Sequence, residues 1–267
     1  INGLKGTTIK FPSISVGATE NAILASFYAE GDTILKNCAI EPEIQDLINF
    51  LNKLGGNIRI KGRYIRIKKN KKINNISYSV MIDRIEFGTY LIAGALAGNK
   101  VSFSNAKPKY LNTELSVLKK MGVKIKKNKN RITVYKSSNL RSVNISTKPF
   151  PGFSTDLQAQ FMVLMTKAKG ISKIEENIFE NRFMHVPELR RMGADIKIKN
   201  NVAYIKGPTN LSGAELMATD LRASVSLVLA GLIADNRTII NRIYHLDRGY
   251  SQLEKKLKNC KANIKRV

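Results

Sequence analysis

Apolar and polar positions recur along this sequence at a fixed interval. Four segments combine an amphipathic helical pattern, a turn residue and an alternating strand pattern: LNKLGGNIRI, LKKMGVKIKK, LRRMGADIKI and LKNCKANIKR. Their turn residues are Gly55, Gly122, Gly193 and Lys261, so the pattern returns about every 70 residues. Glycine at this place predicts a left-handed helix C-cap, and Lys261 is the exception to that rule.

A second set of segments keeps the same interval. Each is a helix that is apolar nearly all round, followed by Gly or Asn and a short β-branched strand: NAILASFYAEGDTILKN, TYLIAGALAGNKVSFSN, QAQFMVLMTKAKGISKI and ASVSLVLAGLIADNRTIIN. A further strand is predicted ahead of each helix, in LKGTTIKFP, ISYSVMID, SVNISTKPFP and LSGAELMATD. The repeat is therefore βαβαββ, and four copies fill residues 4–267.

This alternation of strands and helices predicts an α/β fold with buried helices. The first helix of each repeat has no polar face to turn toward water, so it must be covered by other elements. The spacing alone does not decide the arrangement of the sheets.

Composition limits the class of protein. The chain has 267 residues, 43% of them hydrophobic, which is enough for one large or two ordinary domains. Its net charge of +25 comes mostly from lysines scattered among Asn and Ile. These are residues of A/T-rich codons, and no basic stripe carries interleaved aromatic residues, so we expect no nucleic-acid partner.

The sequence also argues against a membrane span and a structural metal. The apolar run at 225–234 is too short to cross a bilayer, which favours a cytoplasmic protein without a membrane partner. Cys38 and Cys260 suggest no disulfide framework, and no Cys/His cluster has metal-ligand spacing. The chain begins without Met, which suggests an incomplete piece.

Polar residues with chemical potential gather where the helices begin. They are Ser13 to Thr19, Asp83, Arg84, Glu86, Thr155, Asp156, Asp220 and Arg222 ahead of the apolar helices, and Glu41, Arg182 and Arg248 ahead of the amphipathic ones. Helix N-termini carry unpaired N–H groups, so several of them around one cleft would bind an anion. An Asp at such a place is equally well explained as an N-cap.

Arg222 is harder to explain structurally. It lies two residues after Asp220, a spacing that does not bring side chains together on a helix, and a first-turn cation is disfavoured by the helix dipole. Arg182, Arg222 and Arg248 stand at similar points of the repeats, which suggests a phosphate or carboxylate ligand. His185 and His245 lack suitably spaced catalytic partners and are interpreted as structural. Pro42 and Pro187 are expected in the first turns of their helices.

Four segments resemble a known family. FSTDLQAQF, FENRFMHVPELRRMGA, MATDLRASVSLVLAG and IYHLDRGY are similar to signature segments of the UDP-N-acetylglucosamine 1-carboxyvinyltransferases, which are enolpyruvyl transferases, and the similarity covers all 267 residues. The resemblance implies an inside-out α/β barrel of βαβαββ repeats with buried parallel helices. It implies that residues 1–80 are the last repeat of an incomplete first domain and that residues 81–267 form a complete second domain of three repeats.

The resemblance also implies an activity, transfer of the enolpyruvyl group of phosphoenolpyruvate to the 3-hydroxyl of UDP-N-acetylglucosamine without a cofactor. Asp156 would be the general base, Arg182, Arg222 and Arg248 would hold phosphoenolpyruvate, and Asp220 would orient the arginines. The implied substrate-binding residues are Ser13, Ile14, Ser15, Val16, Gly17, Glu41, Asp83, Thr155, Asp156 and Ile178.

Three alternatives to this activity stay open. They are the shikimate-pathway enolpyruvyl transferase, a non-catalytic UDP-sugar or anion-binding remnant, and a polyanion-binding scaffold. The family's Lys-Asn pair, further arginines and mobile-loop cysteine have no counterpart here, because Cys38 and Cys260 do not match that cysteine. We therefore expect this chain to be inactive alone.

Overall fold

The chain folds into two units, described here from a computed structural model that covers residues 3–70, 72–128 and 131–267. The N-terminal unit comprises residues 1–82 and 149–151, and the C-terminal unit comprises residues 83–148 and 152–267. In the described part of the chain, no helix combines the length and the apolar character needed to cross a membrane.

The N-terminal unit is one complete βαβαββ repeat. Its elements are β1 (Thr8–Lys10), α1 (Val16–Phe27), β2 (Thr33–Lys36), α2 (Pro42–Lys53), β3 (Asn57–Lys61) and β4 (Tyr64–Lys68). They build a four-stranded sheet in the order β1-β2-β4-β3, in which β1 and β2 are parallel and the other pairs antiparallel. Pro42 starts α2, as expected for a residue whose missing N–H has no helical partner there.

The C-terminal unit contains the other three repeats. The second consists of α3 (Arg84–Leu96), β5 (Lys100–Ser104), α4 (Asn112–Lys120), β6 (Ile125–Asn128) and β7 (Arg131–Tyr135). The third consists of β8 (Leu140–Arg141), β9 (Asn144–Ser146), α5 (Gln158–Met165), β10 (Ala168–Glu175), α6 (Val186–Arg191), β11 (Asp195–Lys199) and β12 (Val202–Gly207). The fourth consists of β13 (Glu215–Met217), α7 (Leu221–Gly231), β14 (Ile239–Asn241) and α8 (Leu253–Asn259).

Each repeat of the C-terminal unit has its own sheet. The strand orders are β5-β7-β6, β11-β12-β10-β8 with β9 paired to β10, and β13-β14. The strand that follows each buried helix pairs antiparallel with the last strand of its hairpin in the second and third repeats, as β2 does with β4. The α/β class is thus confirmed, but the described strand pairs do not establish a closed barrel.

Two predicted strand regions are wrong. Residues 76–83 form no strand, because Asp46 binds this segment: its Oδ1 accepts from Tyr78 Oη at 2.9 Å and its Oδ2 from the Met81 N–H at 3.2 Å. The closing strand pair of the fourth repeat is also absent from the described residues. Residues 262–267 are too few for two paired strands, and Arg266 Nη2 instead donates to both carboxylate oxygens of Asp247 at 2.7 Å.

The helix ends repeat more faithfully than the strands. Gly55, Gly122 and Gly193 have φ angles of 121°, 92° and 93°, and Lys261 adopts the same left-handed conformation at 68°. In all four places the next residue donates its N–H to the carbonyl five residues earlier at 2.9–3.0 Å, as from Ala262 to Leu257. This is the Schellman C-cap, so the fourth repeat keeps the backbone geometry without glycine.

The core of the C-terminal unit is built around three helices. α3, α5 and α7 pack against one another, and all eight residues of α5 are buried. The predicted burial of an all-round apolar helix is confirmed for these three helices. The polar N-terminal ends of α5 and α7 carry the residues described next.

Candidate functional site

Asp220 and Arg222 lie at the N-terminus of α7, but they do not pair through their side chains. Asp220 is the N-cap, and its Oδ1 accepts from the backbone N–H of Arg222 at 2.8 Å and of Ala223 at 3.1 Å. A carboxylate at this place offsets the orphan N–H groups and the helix dipole. The Arg222 side chain is thereby left available for another partner.

The partner of Arg222 is Asp156, which comes from the third repeat. Asp156 lies in a 3-10 helix at Thr155–Leu157, whose N-cap is Ser154, so the capping explanation fails for this aspartate. Its Oδ1 accepts from Arg222 Nε and from Arg182 Nη2, the latter at 2.6 Å. Side-chain exposures of 29% for Asp156, 20% for Arg182 and 32% for Arg222 place the cluster at a partly desolvated surface.

Arg182 is held on several sides. Its guanidinium carbon lies 4.6 Å from the centre of the Phe179 ring, and its carbonyl accepts from Gln158 Nε2 at 3.0 Å. Its Nε is buried and has no hydrogen-bond partner among the described residues. Burial lowers the pKa of Arg182, the like charge of Arg222 acts in the same direction, and Asp156 opposes both.

Two guanidinium groups therefore share one carboxylate oxygen. Asp220 is occupied by the helix N-terminus, so it satisfies little of the guanidinium hydrogen-bonding capacity. Guanidinium forks bind phosphate and carboxylate groups in two-pronged geometry, and partial burial strengthens such contacts. Chemically, the cluster can bind a small anion beside a carboxylate that can accept a proton.

Thr155 and Ile178 both contact a residue that the sequence analysis missed. Thr155 Oγ1 donates to Glu176 Oε2 at 2.8 Å, and the Ile178 N–H donates to Glu176 Oε1 at 2.9 Å. Glu176 is only 4% exposed. The signal was present in the sequence, because the alternation of β10 places residues 172, 174 and 176 on its buried face.

His185 agrees with the structural interpretation. It is buried, and its Nε2 lies 3.2 Å from Met162 Sδ. Burial lowers the pKa of His185 to about 4, although Asp220 acts to raise it. The imidazole is therefore neutral near pH 7 and adds no charge to the cluster.

Comparison with known proteins decides the family. Residues 2–257 match the family described as EPSP synthase (3-phosphoshikimate 1-carboxyvinyltransferase). The chain belongs to the EPSP synthase family. It is 56% identical over 266 residues to the UDP-N-acetylglucosamine 1-carboxyvinyltransferase of Pelagibacter ubique, covering 99% of this chain and 64% of that protein. It is 53% identical over 265 residues to the Rickettsia akari protein of the same name, covering 99% and 63%.

Two solved structures agree with this fold. The enolpyruvyl transferase NikO from Streptomyces tendae superimposes with a TM-score of 0.91 at 27% identity, covering 99% of this chain and 66% of that one. EPSP synthase from Acinetobacter baumannii gives 0.75 at 18% identity, covering 97% and 63%, which supports the fold alone. The chain spans about 64% of the length of the curated relatives it matches.

Two predicted site residues, Asp83 and Arg248, do not contact Asp156. Asp83 is exposed and caps α3, accepting from Ile85 N at 2.7 Å and Glu86 N at 3.1 Å. Arg248 is exposed at the end of a 3-10 helix, Ile243–Arg248. Across 3–70, 72–128 and 131–267 its side chain forms no hydrogen bond or ion pair, so the structure brings Arg182 and Arg222, but not Arg248, into contact with Asp156.

The remaining predicted residues lie in the N-terminal unit. Ser13 and Gly17 are exposed, Ile14 and Val16 are half-buried, and Ser15 caps α1 by accepting from Ala18 N at 3.2 Å. Glu41 is buried, and its Oε1 accepts from the Phe150 N–H at 3.3 Å. Glu41 Oε2 is buried without a hydrogen-bond partner among the described residues.

Other parts of the structure provide less evidence for a functional site. A cavity of about 850 Å³ lies beside α7, β14 and residues 263–267, but none of the predicted site residues lines it. Within the described ranges no group of three or more His, Cys, Asp or Glu side chains could hold a metal ion. Burial raises the pKa of Cys38 to about 11, which makes its thiol a poor acid or nucleophile at neutral pH.

Proposed function

We propose that this chain is part of an enzyme that transfers the enolpyruvyl group of phosphoenolpyruvate to the 3-hydroxyl of UDP-N-acetylglucosamine, the first committed step of peptidoglycan synthesis. The observation that carries the proposal is the single carboxylate oxygen of Asp156 bound by Arg182 and Arg222. These groups occur in a chain 56% identical to a protein named for this activity.

The proposed mechanism gives each charged group one task. Asp156 accepts the proton of the sugar 3-hydroxyl as that oxygen attacks C2 of phosphoenolpyruvate, while C3 takes a proton from the loop cysteine that the resemblance implies, and a tetrahedral intermediate results. Arg182 and Arg222, joined by Arg248, bind the phosphate and carboxylate groups. Loss of a C3 proton and of phosphate then yields the enolpyruvyl ether, and this balance requires no cofactor.

The other predicted residues have supporting roles in this proposal. Asp220 orients the arginine pair by fixing the start of α7. Thr155 and Ile178 contact the UDP-sugar, as do residues 13–17. Asp83 and Glu41 support substrate binding.

Binding of phosphoenolpyruvate to the 267-residue chain tests the proposal. Calorimetric titration should give saturable binding that weakens at least about 10-fold in Arg182→Ala and Arg222→Ala, because a charge-assisted contact contributes about 1.5–3 kcal/mol. Arg191→Ala is the matched control, since Arg191 is 60% exposed and its nearest carboxylate oxygen is 3.9 Å away. Wild-type protein without saturable binding, or equal affinities in all variants, would contradict the proposal.

A second titration separates the possible acceptors. UDP-N-acetylglucosamine should bind and shikimate 3-phosphate should not, whereas the reverse result would favour the shikimate-pathway reaction. We expect no phosphate release by this chain alone, because neither Cys38 nor Cys260 matches the loop cysteine implied by the resemblance. Loss of a proton-transfer group lowers a rate by about 10²- to 10⁴-fold. Binding without turnover in every longer form of the protein would favour a non-catalytic binding role.

A further inference from the structure

Glu176 is a buried acidic residue that binds Thr155, the residue before Asp156, and has no role so far. β10 alternates exposed and buried positions, with Ser172 and Ile174 turned inward, and Glu176 continues the inward series just after the strand. A carboxylate on the buried face of a strand loses hydration and is retained only when other groups replace it.

Four neutral donors replace the water around Glu176. Oε1 accepts from Thr147 Oγ1 at 2.9 Å, from Ile178 N at 2.9 Å and from Phe179 N at 3.2 Å. Oε2 accepts from Thr155 Oγ1 at 2.8 Å. Hydrogen bonds to an ionised acceptor are about twice as strong as neutral ones, so this carboxylate binds its neighbours firmly.

The two oxygens of Glu176 hold two different segments of the cluster. Oε2 fixes Thr155, the residue directly before Asp156. Oε1 fixes the turn at 178–179, and the ring of Phe179 in that turn lies against the Arg182 guanidinium. One side chain therefore binds segments that adjoin both partners of the Asp156–Arg182 ion pair.

The backbone of Glu176 is itself fixed. Its N–H donates to Asn201 O at 2.9 Å, and Asn201 Nδ2 donates to its carbonyl at 3.1 Å. Asn201 lies in the tight turn between β11 and β12, so the carboxylate is anchored to the antiparallel part of the sheet.

We propose that Glu176 is a positioning residue that holds the side chains of Arg182 and Asp156 in the relative positions needed for anion binding. The proposal rests on the proposed function for the identity of the anion, but the positioning itself is a property of the protein without ligand. Glu176 does not touch the reacting groups and acts through Thr155 and the 178–179 turn.

Nuclear magnetic resonance of ¹⁵N-arginine-labelled full chain tests the positioning without ligand. In wild type the guanidinium N–H signals of Arg182, assigned by their loss in Arg182→Lys, should exchange slowly, because this group is ion-paired and half-enclosed. Glu176→Ala should abolish that protection. Glu176→Gln should keep it, because the amide oxygen can serve the 178–179 N–H groups while the Thr155 hydroxyl turns to accept from the amide nitrogen.

Titration with phosphoenolpyruvate tests the consequence. Glu176→Ala should weaken binding about 10-fold, and Glu176→Gln should stay within about 3-fold of wild type. The matched control is Glu175→Ala, an exposed carboxylate one position earlier. If Glu176→Ala does not fold, Glu176→Asp replaces it, since a side chain shorter by one methylene cannot reach both segments and should show the same losses.

The two readouts distinguish the possible failures. If the wild-type chain does not bind phosphoenolpyruvate, the proposed function is wrong. The Arg182 guanidinium signals still test the positioning role of Glu176 in that case. Protected Arg182 signals in Glu176→Ala, or a lowered melting temperature with unchanged signals and affinity, would overturn the positioning role.

Discussion

The first helix of the N-terminal unit and its counterparts in the C-terminal unit look alike in sequence and differ in burial. All eight residues of α5 are buried, and α3, α5 and α7 pack against one another. In α1 only Thr19, Ile23, Ser26 and Phe27 are buried, and Leu24 is 47% exposed. The repeat therefore specifies the helix, whereas neighbouring copies determine how much of it is covered.

The same contrast holds for the polar helix entrances. Ser15 caps its own helix α1, and its side chain forms no further hydrogen bond among the described residues. At the third repeat the cap is Ser154, and Asp156 instead accepts hydrogen bonds from guanidinium groups of the third and fourth repeats. Adjacent repeats are thus what converts a capping position into a charged cluster.

The largest expected effect comes from truncating one side chain in each kind of helix. Phe161 of α5 is 1% exposed and packs edge-on against Phe153 with ring centres 4.9 Å apart. Phe161→Ala should lower the free energy of unfolding by about 3–5 kcal/mol, because it leaves a cavity in a close-packed core. Leu24→Ala should cost under about 1 kcal/mol.

Urea unfolding followed by circular dichroism measures both changes. Equal losses in the two variants would mean that the exposed side of α1 is covered in solution, and the contrast between the helices would then break down.

Hydrogen exchange extends the comparison from side chains to backbone. Amides of α1 should open with a free energy at least about 2 kcal/mol below those of α5, a factor of about 30 in protection, because fewer apolar contacts resist local opening. Mass spectrometry of peptides from 16–27 and 158–165 compares the two directly. Equal protection would contradict the prediction that α1 opens more easily than α5.

Local features were accessible from the sequence. The recurring glycines predicted the left-handed helix ends, and the spacing of Asp220 and Arg222 correctly indicated that their side chains do not pair. These features depend on residues within one or two helical turns, where propensity and dihedral limits act directly.

Long-range features were not accessible. Nothing in residues 76–83 indicates that Asp46 would accept hydrogen bonds from this segment. Nothing in the sequence before α7 indicates that Arg222 would pair with Asp156, which lies in another repeat. Glu176 was missed because an acidic residue near the end of an alternating strand is usually on its solvated face. Which side chains of different repeats pair with each other depends on tertiary packing, and the spacing of residues along the sequence does not reveal that packing.

Acid should act differently on the two units, because both histidines of the chain lie in the C-terminal one. His185 has a pKa of about 4 in the folded state, below the unfolded value near 6.5. The unfolded state therefore binds more protons between these values, and stability falls as pH falls. From pH 6.5 to 5.0 the loss attributable to His185 should be about 1.5 kcal/mol.

Comparing urea midpoints at the two pH values isolates this term. His185→Leu should remove the added pH dependence whatever its absolute stability, whereas the control His245→Leu, which retains His185, should keep it. An unchanged slope in His185→Leu would show that the imidazole is not held neutral by its buried site.

The smallest expected effect concerns the one helix end that lacks glycine. Lys261 has a φ of 68°, a conformation that costs a side-chain-bearing residue about 1 kcal/mol and costs glycine almost nothing. Lys261→Gly should therefore stabilise the fourth repeat by up to about 1 kcal/mol. The gain should appear as a higher urea midpoint.

Two reverse substitutions show whether backbone strain or space is responsible. A Cβ at Gly193 would meet Asn210 O at 3.7 Å, an ordinary contact, so Gly193→Ala should lose only the conformational term of about 1 kcal/mol. A Cβ at Gly55 would come within 2.5 Å of Lys72 O, and because that neighbour is backbone, Gly55→Ala should lose distinctly more. If Lys261→Gly gives no gain while Gly193→Ala still loses stability, the fourth copy of the helix end does not hold its left-handed geometry in solution. The repeat would then be faithful in backbone conformation only where glycine enforces it.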